Sequence, residues 1–96
     1  MPDQAEPPAL GFTAFVLSLA STAAIHFGDL PDPSTGRPGA LNLTGAAQMI
    51  EILALLDSKT RGNLTAEERQ VLEQVLYELR VRFVQLSDGG KRIIEP

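Results

Sequence analysis

The chain has 96 residues and a formal net charge of −4, a length that bounds it to one domain around one core and a charge that leaves no basic excess to neutralise phosphates, so nucleic acid is set aside as a direct partner. It has no cysteine, which removes disulfides, thiol nucleophiles and cysteine-ligated metal sites and fits the reducing cytoplasm. With 44% hydrophobic but only 5% aromatic residues and no Trp, the core must come from Leu, Ile, Val, Ala and Phe, a palette typical of helices packed side by side.

Residues 1–11 hold Pro2, Pro7 and Pro8, two acids and almost nothing to bury, so the expectation there is a disordered leader. A first helix is expected from about Phe12 to Phe27, with Gly28 as its left-handed C-terminal cap. Phe12, Phe15, Val16, Leu19, Ala23 and Phe27 form one stripe at helical spacing, while Ala14, Leu17, Ala24 and Ile25 fill the rest of the circumference. The segment carries no Lys, Arg, Asp or Glu. It is nevertheless short for a membrane span, which needs about 20 apolar residues, and no positive charge precedes it as a signal peptide would require. Membrane insertion is therefore not expected.

Pro31, Pro33, Gly36, Pro38 and Gly39 make residues 29–40 a loop, with turn chemistry at Asp32-Pro33-Ser34-Thr35-Gly36. The second helix is expected to begin at Thr44 as N-cap and to end near Lys59; Ala46, Met49, Leu53 and Leu56 recur at spacings of three and four, and Ile50, Ile52 and Leu55 widen the face beyond what one packing surface needs. Lys59 and Arg61 suit the negative end of the helix dipole, Gly62 suits a positive φ, and Thr65 with Glu68 forms a capping box. The third helix is expected over about Ala66 to Ser87, with Leu72, Leu76, Leu79, Phe83 and Leu86 as a heptad-like seam. At about 33 Å it is the longest of the three. Asp88, Gly89 and Gly90 are expected to stop it and leave residues 88–96 as a flexible tail.

Little in the sequence points to chemistry. His26 is the single histidine, so no nucleophile, base and carboxylate can be assembled around one, and it reads as closing the first helix. Asp29 and Asp32 lack the ligand spacing of a calcium loop. Arg80 and Arg82 point to different helix faces and make no basic groove. The glutamates lie mostly on the outer face of the third helix, where a solvated surface explains them better than acid–base catalysis does. Neither a catalytic residue, a metal site nor a cofactor is assigned. The junction holding Lys59, Arg61, Asn63 and Thr65 is the best small-ligand candidate, because two cations beside a helix N-terminus suit a phosphate or carboxylate, although the order GxxxxGK[ST] of a phosphate loop is missing.

From Phe12 to about Leu86 the chain resembles the small bacterial proteins grouped as domain of unknown function 1844. The residues that carry the resemblance are the opening helix FTAFVLSLASTAAIHFG, the loop from Gly28 to Gly36, and the junction from Lys59 to Glu68. The resemblance implies a bacterial helical protein and brings no active-site pattern to carry over.

The architecture expected from these observations is all-α: a hairpin of the second and third helices, plus an apolar N-terminal helix, assembled into a helical-bundle homo-oligomer. The expected function is a non-enzymatic interaction or assembly module whose partner is itself or another protein, with its interface at Phe12, Phe15, Val16, Leu17, Leu19, Leu79, Phe83 and Leu86. The alternative is a regulator that binds a small anion or nucleotide at the junction.

Overall fold

The computed structural model describes residues 11–94, with side chains through Ser87. Three helices follow one another: α1, Phe12–Phe27, α2, Leu43–Lys59, and α3, Ala66–Ile94. The described residues hold no strand, only an isolated bridge between Pro31 and Pro38. The all-α class and the three-helix order read from the sequence are what the structure shows. The leader lies outside the described residues except for Gly11.

Each boundary follows from local chemistry. Gly11 is extended, and its carbonyl accepts from Phe15 N at 3.0 Å to open α1. Gly28 closes it at φ +83°, donating to the Ile25 carbonyl, as a glycine with no Cβ can do at little cost. The N-cap of α2 is Asn42, not Thr44: Asn42 Oδ1 accepts from Gly45 N at 2.9 Å. An asparagine amide three positions ahead satisfies an orphan N–H of the first turn as well as a threonine would. At the other end Thr60 caps α2 and Gly62 turns the chain at φ +83°. Thr65 and Glu68 form the reciprocal box, with Thr65 N donating to the Glu68 carboxylate at 2.9 Å and Glu68 N to Thr65 Oγ1 at 3.1 Å.

The third helix does not stop at Asp88 but continues to Ile94. Two glycines cost a helix only about 2 kcal/mol together, which is too little by itself to end it. At 29 residues α3 is about 43 Å long against about 24 Å for α1, and it outreaches both neighbours.

α1 packs against both α2 and α3, and the two hairpin helices pack against each other. The shared core is Val16, Ala23 and Phe27 from α1, Ala46 and Leu53 from α2, and Leu72, Val75, Leu76 and Leu79 from α3. Val16, Leu53 and Leu72 are fully buried, and no polar or charged side chain is buried among the described residues. This packing covers part of the uncharged first helix within its own protomer, while Leu17 on it stays 49% exposed. The two inner sides of α1 are covered by α2 and α3. Its outer side carries Leu17 with the small residues Ala14, Ser18 and Ser21, all exposed and uncharged. Ser18 Oγ donates to the Phe15 carbonyl at 2.8 Å and Thr22 Oγ1 to that of Ser18 at 3.2 Å, so the hydroxyls fold back onto their own helix.

The loop between α1 and α2 is pinned at both ends. Asp32 Oδ1 accepts from Ser34 N and Ser34 Oγ, closing the expected turn, and these bonds hold its carboxyl below the usual aspartate range. Asp29 receives a bidentate fork from Arg82, Nη2 to Oδ1 at 2.6 Å and Nε to Oδ2 at 2.9 Å, which ties the loop to α3. At the far end Asn42 N donates to the His26 carbonyl at 2.7 Å. His26 thus closes α1 as the sequence suggests, with its ring laid over Gly45.

Candidate interaction surface

α1 covers one side of the α2–α3 hairpin, and among the described residues the other side is open. There a groove of about 710 Å³ runs between the two helices, lined by Ala47, Ile50, Glu51 and Ala54 with Thr44 and Gln48 from α2, and by Arg80, Phe83 and Val84 from α3. The reason lies in helical phase. On α2 the core takes Ala46 and Leu53, and Ile50, Ala54 and Ala47 fall progressively further round the helix, so the apolar face extends past what the protomer covers. The alanines keep the groove floor low.

The apolar surface does not end at the α3 lip. Tyr77, Val81 and Val84, spaced by four and three residues, are 66%, 38% and 49% exposed and form a second stripe on α3 beside the core seam. A shallow depression lined by these three with Arg80 and Gln85 shares Arg80 and Val84 with the groove, so groove and stripe are one continuous surface. A contiguous apolar face on a soluble domain marks a site of interaction more often than a scattered exposed leucine does.

The charges on this surface are sparse and arranged. Glu51 stands on the α2 lip and Arg80 on the α3 lip. The ion pairs among the described residues are Arg61 with Asp57, Arg69 with Glu73 and Arg82 with Asp29, so neither Glu51 nor Arg80 has a partner among them. Arg80 and Arg82 do point to different sides, as their spacing requires: one to the groove, the other to the proline loop.

The Lys59–Thr65 junction is built differently from an anion cradle. Arg61 is spent on Asp57 at 3.3 Å. The Thr65 hydroxyl and N–H are both engaged by Glu68, whose carboxylate stands at the N-terminus of α3 where an anion would sit. Lys59 and Asn63 are exposed, and Asn63 N donates to the Thr60 carbonyl at 2.9 Å. The box engages the Thr65 and Glu68 N–H groups and sets a carboxylate beside the helix N-terminus, where it competes with a phosphate. Among the described residues no group of three histidine or carboxylate side chains is placed to hold a metal ion, and no helix is long and apolar enough to cross a membrane.

The model of the family described as domain of unknown function (DUF1844) matches residues 9–85. The chain belongs to this family. No curated protein and no solved structure matches it. The part of the DUF1844 chain that matches takes in α1, the proline loop, α2, the capped junction and α3 through the groove-lining Val84, so the open surface is made wholly of family sequence.

The eight residues expected at an oligomer interface are divided in this DUF1844 fold. Val16 and Leu79 lie in the protomer's own core, which corrects their assignment to a contact between chains: a residue packed by its own helices has no surface left to offer. Phe12, Leu19, Phe83 and Leu86 are half-buried against that core, and Phe15 is half-buried as well. Leu17 is 49% exposed, but its depression is rimmed by Glu67, Gln70, Gln74 and Glu78. Only Phe83 of the eight lines the large groove. Sequence reading noted Ile50 as excess apolar width but passed over Ala47, Ala54, Tyr77, Val81 and Val84. Its usable signal was the second apolar stripe on the third helix and the excess apolar width of the second.

Proposed function

We propose that this protein is a helical interaction module, not an enzyme, that assembles with itself through the open face of the α2–α3 hairpin. The single observation that carries the reading is the continuous apolar surface of groove and stripe, which the protomer's three helices leave uncovered. Covering it removes Tyr77, Val81, Val84 and the groove floor from water, and apolar burial of that kind is the main favourable term in association. A third helical layer is already supplied on the opposite side by α1, so a partner completes the bundle instead of replacing part of it. Presentation of its long α3 and its termini in pairs is then what the assembly achieves. Cytoplasmic residence in a bacterium is part of this reading on the sequence grounds given above.

The test is the absolute mass in solution by light scattering after size exclusion, over a wide concentration range. The wild-type chain is expected to form a multimer, and Val84→Glu to weaken it at least tenfold, because the carboxylate would be desolvated at the contact. Val84 is half-exposed, so the protomer folds either way. Leu17→Glu, on the far side of α3, leaves the mass unchanged. A wild-type monomer at the highest concentration overturns the reading.

A further inference from the structure

The two lips of the groove carry opposite charges, and this decides how a second copy can sit on it. An isologous pair can be built on this face in two ways. With the two-fold axis lying across the helices, each α3 would cover the partner's α3 and each α2 the partner's α2. Arg80 would then lie on the α3–α3 side of the contact and Glu51 on the α2–α2 side, so neither would stand opposite the other, and an axis passing at their level would set each against its own copy. Like charges facing one another at a contact disfavour it. With the axis running along the groove, each α3 instead covers the partner's α2. The two helices of a hairpin with a short connection run antiparallel, so every neighbouring pair across the contact is antiparallel too, as in an up-and-down four-helix bundle. The lip carrying Arg80 then faces the lip that carries Glu51 of the partner subunit, twice by symmetry.

We infer that the occupant of the α2–α3 groove is the same groove of a second copy of this chain, related by a two-fold axis along the groove and registered by crossed Arg80–Glu51 ion pairs. The inference rests on the self-assembly reading above and adds to it the partner's orientation. Three facts support it together: the face is open on the side away from α1, neither Arg80 nor Glu51 has an ion-pair partner among the described residues, and the alanines at 47 and 54 let a facing helix approach closely.

Charge reversal tests it. Arg80→Glu and Glu51→Arg are each expected to weaken the dimer, by about 10- to 100-fold in Kd, since one substitution replaces two attractions by two repulsions at a solvent-exposed rim. The double variant Arg80→Glu/Glu51→Arg restores the pairs in reversed sense and returns Kd to within about threefold of wild type. Both positions are exposed, and thermal melting of each variant monitors the fold. Single reversals without effect, in a chain that Val84→Glu still dissociates, would overturn the crossed register and leave self-assembly standing. Weakening by both singles without rescue in the double overturns the register as well. If Val84→Glu and the reversals all leave the mass at the wild-type value, both the register and the groove as interface are wrong.

Discussion

Glycine to alanine inside a helix ordinarily stabilises a protein, by up to about 1 kcal/mol, because alanine gives up less backbone entropy. At Gly45 the opposite is expected. A Cβ built on this residue would lie 2.8 Å from Asn42 Nδ2 and 2.9 Å from both Cε1 and Nδ1 of His26, well inside an ordinary contact of about 3.5–4.0 Å. Asn42 is not free to retreat. It is held through Oδ1 by the Gly45 N–H at 2.9 Å and through its own N–H by the His26 carbonyl at 2.7 Å. Displacing its side chain gives up the α2 cap, about 1 kcal/mol, and pressing the imidazole outward adds an overpacking cost of about 1–3 kcal/mol. Set against the propensity gain, the net is a loss of about 2 kcal/mol, or a fall in Tm of about 8–16 °C for a domain of this size. Urea unfolding followed by circular dichroism, at one fixed protein concentration so that assembly does not move the midpoint, measures it. Asn42→Ala is the companion: it loses the cap but relieves one contact, so the double variant should be less destabilised than the sum of the singles. A Gly45→Ala protein as stable as wild type would refute the reasoning.

Two further perturbations follow. Leu53→Ala empties a fully buried site at the centre of the core and is expected to cost about 2–5 kcal/mol in the same unfolding assay; a loss under 1 kcal/mol would mean the three helices close over the gap. Hydrogen bonds from Arg82, with its charge, hold the Asp29 carboxyl below its ordinary value. A depressed folded-state pKa contributes stability that is fully present above the unfolded value of about 3.9 and is lost as pH falls through the folded one. Wild type should therefore lose more Tm than Asp29→Asn as pH is lowered below about 4. The difference will be small because both partners are 39% exposed, and parallel pH profiles for the two proteins would remove the fork from the list of stabilising contacts.

The parts of this protein that the sequence determines alone are those whose physics is local. Gly28 and Gly62 end or turn helices because positive φ is cheap only without a Cβ, and Thr65 with Glu68 opens α3 because the two residues satisfy each other's backbone donors within one turn. The same locality explains the turn at Asp32 and the run of three helices. Where two local signals compete, the sequence is less decisive: Asn42 and Thr44 are both good caps, and contact with His26 and Gly45 selects the first. Gly89 and Gly90 are weak stops that the helix runs through to Ile94.

Tertiary structure alone decided which apolar faces are covered. Periodicity shows that a face exists, but every neighbouring helix is equally able to hide it until the packing angles are set. An uncharged first helix read as a contact between chains; α2 and α3 cover its inner sides, while Leu17 and small hydroxylated residues face water. An open apolar groove lies on the opposite side of the hairpin, lined by Ala47, Ile50, Ala54 and Val84. Arg82 reaches an aspartate 53 residues away, while Arg80, two residues earlier, is left on the rim of that groove. Such assignments depend on where separate segments meet in space, and residue spacing along one helix carries no information about that.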